Sequence, residues 1–395
     1  MKYFAADKSA LRNNNFDFLR FALALAVIFS HSWPLALGTE ANEPLGRLTG
    51  GRFTVGRAAV AFFFIISGFL ITHSWLSDSR LIPFMRKRVL RIYPGFTVTV
   101  LVCALVVVPL ASVPGAPFDL ARRLGHAARI TAGLQMYIAP GTFAGNPYPG
   151  TVNGSLWTIR YEFFCYVLLA LAGVLGALTR PRLVLAALIG ALVIEMTWTF
   201  FELWPAAWHS LSMHFAVPVR RLAPLGRARF LVTFGLYFLV GSAFYLHRAR
   251  IPFSGGVALL AATALAASLA SPRAFIFAAA LPLCGAYLLF YTAFHHRLPL
   301  QKFGGYGDPS YGMYTYAFAI QQLVVMCGGA GSGGGALGTA TAPLRLFFIA
   351  APLSIVAGGL SWHLVEKHFV HRRSHTAKAS NAAMIAPERN VALPL

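Results

Sequence analysis

Charge is scarce in this sequence: Asp, Glu, Lys and Arg make up 11% of its 395 residues, and only 12 of them are acidic. A soluble domain of ordinary composition carries about a quarter charged residues. With 57% hydrophobic residues and a mean hydropathy of +0.64, water is excluded as the main solvent. Cysteine is almost as rare. Cys103, Cys165, Cys284 and Cys327 each fall inside an apolar run and form no CxxC or other ligand spacing, which argues against a disulfide framework or a zinc site. The formal net charge is +21, yet the basic residues punctuate apolar runs and form no stripe interleaved with exposed aromatics, so no nucleic-acid partner is expected. No internal repeat points to the inverted duplication of a transporter.

What the sequence has in quantity is long apolar runs. Segments long enough to span a bilayer, about 17–25 residues each, fall near 16–36, 56–76, 92–112, 154–177, 183–203, 230–247, 255–271, 274–293, 308–327 and 343–364. They predict an all-α, polytopic transmembrane helix bundle of about ten spans. Lys2, Lys8 and Arg12 precede the first run and Leu35-Ala36-Leu37-Gly38 vaguely resembles a cleavage site, but Asp17, Arg20 and His31 inside the run mark a retained helix.

Basic loops set the orientation. Arg80, Arg86, Lys87, Arg88 and Arg91 follow the second run, Arg180 and Arg182 the fourth, Arg248 and Arg250 the sixth, with Arg297, Lys302, Lys367, Arg372, Arg373 and Lys378 later on the same side. The positive-inside rule places these, and both termini, in the cytoplasm. The basic content also suits anionic membrane lipids and phosphate-bearing ligands. One stretch resists: 204–229 should be external but holds Arg220, Arg221, Arg227 and Arg229, so it is either re-entrant or interfacial, or one helix is miscounted. A second external loop, 113–153, includes a helix-like piece near 118–137 with Arg122, Arg123, His126 and Arg129, suited to an interfacial position beside an acceptor site. Gly328 to Gly338 reads as a flexible external linker. The transmembrane domain is expected over 1–373, followed by a disordered cytoplasmic tail, 374–395.

Ionisable residues inside apolar helices are costly and tend to be functional. Arg20 and His31 are separated by 31 − 20 = 11 positions, which at about 100° per residue returns to nearly the same face about 16 Å further along. A snorkelling arginine and a merely satisfied histidine are the plainer reading; the sequence context favours function. Arg88 and Arg91 stand three apart on one face, either as a positive-inside anchor or as two guanidinium forks for a polyphosphate. Glu162, about two turns into the fourth run, either pairs with an arginine or orients a reacting group. Ser310 and Tyr314, one turn apart, present hydroxyls for a polar cavity, while Tyr316 reads as part of an interfacial aromatic belt.

Several pieces occur in one order along nearly the whole chain. They are Phe16-Asp17-Phe18-Leu19-Arg20 followed by His31; Phe62-Phe63-Phe64-Ile65-Ile66-Ser67-Gly68-Phe69-Leu70-Ile71; Arg88 and Arg91 running into Ile92-Tyr93-Pro94; Ser155-Leu156-Trp157 followed by Glu162; Ser310-Tyr311 followed by Tyr314; and Glu366. In this the chain resembles the bacterial acyltransferase 3 family of membrane acyltransferases. The resemblance implies a membrane O-acyltransferase of the bacterial inner membrane, moving an acyl group, commonly acetyl from acetyl-CoA, to a hydroxyl of a cell-surface or exported saccharide. No permanently bound cofactor is implied; acyl-CoA is the donor substrate, and a glycan or lipid-linked saccharide the acceptor.

By the same resemblance His31 matches the family's essential membrane histidine, a general base, and Glu162 a carboxylate that orients His31 or an arginine. Arg88 and Arg91 match the paired arginines that grip CoA phosphates, with Arg20 able to hold a phosphate or carboxylate. Trp157, Ser310, Tyr311 and Tyr314 are expected along the substrate cavity. There are two departures. Ala317 follows Tyr316 where many members have a histidine, and the soluble hydrolase-like domain of some relatives is not seen after the last helix, so a single-component enzyme or a separate partner is expected. Two further readings compete. His73-Ser74-Trp75-Leu76-Ser77-Asp78 matches the HxxxxD signature of glycerolipid acyltransferases, with His73 as base and Asp78 as its orienter. A transporter or flippase would use the same intramembrane charges as a substrate path.

Overall fold

A computed structural model describes residues 3–4, 14–51, 53–113, 119–202, 228–271, 274–295, 298, 300–328 and 341–370. The expectations for the stretch around 204–229, the 328–338 linker and the tail therefore fall wholly or largely outside the described residues. The described residues are all-α apart from one small ribbon. In order the helices are α1 (Phe16–Leu37), α2 (Pro44–Leu48), α3 (Val55–Ser77), α4 (Leu81–Ala111), α5 (Leu120–Gly133), α6 (Trp157–Val174), α7 (Pro181–Glu202), α8 (Ala228–His247) and α9 (Gly255–Ala270). After these come α10 (Ala274–Ala280, continued through a π turn into Ala286–Ala293), α11 (Ser310–Cys327) and α12 (Ala342–Val370). Between α5 and α6, β1 (Tyr137–Ile138) pairs antiparallel with β2 (Thr151–Asn153).

Among the described residues, eight helices are long and apolar enough to cross a membrane: α1, α3, α4, α6, α7, α8, α10 and α12. The other two expected spans do form helices, for different reasons short of that mark. Helix α9 has 16 residues. Helix α11 spends its length on Ser310, Thr315, Gln321 and Gln322, all buried in the bundle, so its polarity faces protein where partners satisfy it. The start of the third span also differs. Helix α4 begins at Leu81, so Arg86, Lys87, Arg88 and Arg91 occupy its first turns and do not precede it. Arginine and lysine are good helix formers, and their stems let the charges reach the interface.

Glycine sets the tightest crossing. A Cβ at Gly68 would collide with the Phe238 carbonyl, and one at Gly241 with the Ile65 carbonyl, so α3 and α8 meet backbone to backbone. Buried Phe69 and Phe290, ring centroids 4.9 Å apart, extend that seam to α10. Helix α7 and the outward faces of α9 and α12 instead expose Ile189, Val193, Leu259, Leu260, Phe348 and Val356, as a lipid-facing surface requires. The register of α1 against α3 is fixed at two levels: the Phe16 and Phe69 rings lie 5.7 Å apart, and Gly56 lies directly on Ser30. The two helices therefore run antiparallel. Helix α11 runs parallel to α1, since Asp308, just before its start, accepts from Arg20 at 3.3 Å, and further along Gln321 Nε2 donates to the Ile28 carbonyl at 2.8 Å.

Candidate active site

A cavity of about 780 Å³ opens among α1, α3, α4, α6, α11 and the end of α12, large enough for a sizeable ligand. Arg20, Arg86, Lys87, Arg88 and Arg91 line it together with Ser67, Thr158, Glu162, Tyr166, Ser310, Tyr311 and Tyr314. Seven residues singled out from the sequence thus meet in one space: Arg20, Arg88, Arg91, Glu162, Ser310, Tyr311 and Tyr314. His31 and Trp157 do not line it.

The arginines differ in what they hold. Asp308 Oδ2 accepts from Arg91 Nη2 at 2.5 Å and from Arg20 Nη1 at 3.3 Å. Arg20 also donates to Asp17 at 3.4 Å, and Glu366 Oε2 lies 3.8 Å from Arg91 Nη1. The other oxygen of Asp308 accepts from the Ser310 hydroxyl and, at 3.3 Å, from the Ser310 backbone N–H. Three carboxylates therefore serve two guanidiniums and tie α1, α4, α11 and α12 together. Arg88 points elsewhere: its Nη2 donates to Ser74 Oγ at 2.9 Å and its guanidinium lies over the Phe84 and Tyr166 rings. Such stacking and forked donation suit a phosphate-binding arginine.

Glu162 is held by hydroxyls. Ser67 Oγ donates to Oε1 at 3.0 Å, and the Tyr166 hydroxyl donates to the same oxygen. No hydrogen bond or ion pair joins Glu162 to His31 among the described residues, and the helix register explains why. Ser67 is eleven residues from Gly56, which packs on Ser30, so Glu162 lies about 16 Å along the bundle axis from His31. Further up the cavity, Tyr314 OH is within 2.5 Å of Thr158 Oγ1 and donates to the Ser155 carbonyl at 3.0 Å, bonding α11 to the start of α6. Tyr311 OH donates to the Ile92 carbonyl at 2.8 Å, and its ring fills the space where a side chain at Gly95 would be.

His31 lies one turn beyond that roof. Phe318, one helical turn after Tyr314 on α11, meets the His31 ring edge-on at 5.5 Å. His31 is half-buried, yet its Nδ1 is sealed from solvent with no hydrogen-bond partner among the described residues. Its accessible area therefore lies elsewhere on the side chain. A buried nitrogen without a partner is unusual enough to require an account.

Trp157 packs with Phe230 and Phe234 at 4.8 and 5.6 Å, in an aromatic cluster between α6 and α8. The HxxxxD reading does not survive. His73 Nδ1 meets the Tyr245 hydroxyl at 2.8 Å, whereas Asp78 accepts from Arg80 at 2.8 Å and lies 3.6 Å from Lys87. The hydrogen bond from Arg80 holds the Asp78 carboxyl down at about 2, fully ionised and turned from His73. Sequence reasoning assigned no role to Ser67, Thr158, Tyr166 or Asp308. For Tyr166 a signal existed, since it follows Glu162 by four residues on one helix face. For Asp308 there was none, because its partners are hundreds of residues away.

Before any comparison, the described residues define a class no finer than a multi-pass membrane protein with a cation-rich cavity and a histidine just beyond it. The chain belongs to the acyltransferase 3 family, whose model, described as an acyltransferase domain, matches residues 13–363. It is thus a multi-span membrane acyltransferase, and an acyl donor is implied. Among curated relatives, Nodulation protein 10 of Rhizobium leguminosarum bv. viciae is 28% identical over 377 residues, covering 91% of this chain and 94% of its own length. An O-acetyl transferase of Shigella phage Sf6 is 26% identical over 367 residues, covering 92% and 98%. No solved structure matches. Membership of an acyltransferase family replaces the transporter alternative.

Proposed function

We propose that this protein is an O-acyltransferase that moves an acyl group, acetyl in the first instance, from acyl-CoA to a hydroxyl of a cell-surface or exported saccharide, with His31 as general base. The single observation that carries the reading is the half-buried imidazole of His31, without a partner among the described residues, one helical turn from the roof of a cation-rimmed cavity. The bundle lies in a bacterial cytoplasmic membrane with the Arg86–Arg91 end of α4 and both termini in the cytosol, as the distribution of basic residues requires.

The donor enters from the cytosolic end. Arg91 and Arg20 are already engaged by Asp308, Glu366 and Asp17, and Lys87 by Asp78, so they shape the cavity wall, and the CoA phosphates meet Arg86 and Arg88. The extended pantetheine arm carries the thioester up the cavity towards Tyr314. Glu162 is a positioning residue that fixes the Ser67 and Tyr166 hydroxyls along this path.

At the far end the acceptor hydroxyl gives its proton to His31 Nε2 as its oxygen bonds to the thioester carbonyl carbon. Nε2 takes this part because Nδ1 is sealed. The carbon–sulfur bond then breaks, and the departing thiolate recovers the proton from the imidazolium. The products are an ester and free CoA thiol. A base must present a neutral imidazole.

Membrane vesicles containing the protein, given acetyl-CoA labelled in the acetyl group and base-treated surface saccharide, test this directly. Alkali-labile label in the saccharide fraction is expected. No transfer from any acyl-CoA, or normal transfer by His31→Ala, removes the reading.

A further inference from the structure

Residues 139–153 close the end of the bundle beyond His31, and they are clamped in place. The Phe143 N–H donates to the Ala111 carbonyl at 2.9 Å, and Ser112 bridges Thr142 where α4 ends. Asn146 Nδ2 donates to both the carbonyl and the side-chain oxygen of Gln322, at 2.9 and 2.8 Å. Gln322 Nε2 donates back to the carbonyls of Tyr148 and Thr151, at 2.7 and 2.9 Å. On the other flank the Pro147 carbonyl rests on Gly38, whose left-handed φ of +74° ends α1. The side-chain amides of Asn146 and Gln322 are thus consumed in holding it.

Tyr148 is the exception. Its backbone is pinned by Gln322 while the residue stays 41% exposed. Its ring meets Phe318 at 6.2 Å, and Phe318 meets His31 at 5.5 Å. An exposed aromatic on a pinned backbone is thereby placed one ring, Phe318, away from an imidazole that lacks a partner among the described residues. A residue of an aromatic belt needs only interfacial depth; it needs neither a rigid mount nor contact with the ring that contacts a base.

We propose that Tyr148 is the stacking platform of an acceptor subsite, taking the apolar face of a sugar ring so that one hydroxyl of that ring or its neighbour reaches His31. This rests on the saccharide-acylating reading above and adds where the acceptor binds. A rigid aromatic offers large contact area with few torsions to freeze. The donor cations lie at the opposite end of α4, so the two substrates occupy opposite ends of one bundle and need not displace each other.

The test uses full-length protein in membranes, labelled acetyl-CoA, and surface saccharide extracted from cells lacking the protein and treated with mild base. Tyr148→Ala is expected to raise the half-saturating saccharide concentration about three- to tenfold, as the loss of one aromatic contact implies. The half-saturating acetyl-CoA concentration should not move, which also reports that the variant is folded. Tyr148→Phe, which keeps the stacking face, should stay within about twofold of the unaltered protein. An unchanged saccharide dependence in Tyr148→Ala overturns the proposal, as does a Phe variant as impaired as the Ala variant. If the unaltered protein acetylates no saccharide at all, the functional reading falls and the subsite with it; those results are distinguishable.

Discussion

Arg20 and His31 stand on one helix, eleven residues apart, in opposite circumstances. Around Arg20 the charges are paired: Asp17, Asp308 and Glu366 hold Arg20 and Arg91 in one network across four helices. Around His31, among the described residues, no group hydrogen-bonds the imidazole's sealed nitrogen, and the ring meets Phe318. Satisfied charges fix a structure, because removing either partner leaves the other stranded in low dielectric. An unsatisfied group is kept where a substrate completes it. The comparison divides the bundle into an end that is built and an end that waits, and each half of that division can be broken separately.

The largest effect belongs to the waiting end. His31→Ala should lower the maximal rate of transfer by a factor of about 10² to 10⁴, the range for loss of a general base, with thermal stability unchanged or raised because an unpaired buried group has gone. Labelled acetyl-CoA in membrane vesicles measures the rate, and unfolding in detergent the stability. A variant destabilised by His31→Ala would show that the imidazole is structural.

At the built end the signature reverses. Asp308→Asn keeps shape but removes the carboxylate that Arg20 and Arg91 share, leaving them only the longer contacts to Asp17 and Glu366, and should cost about 3 kcal/mol of stability, the low end for breaking a buried pair. Asp308 is only 12% exposed at its side chain, so solvent offers little relief. Detergent-solubilised protein titrated with denaturant gives the number, and an unaltered midpoint contradicts the network's structural role.

What could be read in advance follows the same division. Helix positions were legible because apolar runs of membrane length announce themselves, and the Arg20–His31 phase was legible from helical geometry alone. The count of spans was less so: polar α11 is buried among other helices and α9 is short, facts that depend on neighbours. Glu162 was visible as an expensive residue, but its true partners, Ser67 and Tyr166, came only with packing. Orientation of His31 by Glu162 was a natural inference from chemistry, and the antiparallel register of α1 and α3 separates the two. Asp308 was hidden because an aspartate before a proline and a serine looks like an ordinary helix start, and only the fold brings Arg20 and Arg91 to it.

The donor rim sharpens the distinction among arginines. Arg88→Ala should raise the half-saturating acetyl-CoA concentration about tenfold, as expected for one charge-assisted phosphate contact, while the maximal rate falls little. Dephospho-CoA and pantetheine thioesters as alternative donors would be penalised less by the substitution, since they carry fewer phosphates. An Arg88→Ala variant that loses rate without losing donor affinity would move Arg88 from the rim to the chemistry.

The smallest effect falls on the boundary between the two ends. Tyr314 closes the cavity by bonding to Thr158 and to the Ser155 carbonyl, one turn of α11 below the residue that touches His31. Tyr314→Phe removes those bonds and keeps the ring against Phe63, whose centroid lies 6.0 Å away. The loss of about 1 kcal/mol that a net hydrogen bond represents corresponds to a factor of about five in an equilibrium, and its direction is informative. If the hydroxyl merely staples α11 to α6, stability drops and transfer slows in parallel. If it is also the latch that separates thioester from base, the looser roof lets the acyl group through more often, and rate per folded molecule rises while stability falls. Single-turnover transfer, normalised to folded protein by tryptophan fluorescence, separates these outcomes; a variant unchanged in both rate and stability leaves the roof without a function and the boundary at His31 alone.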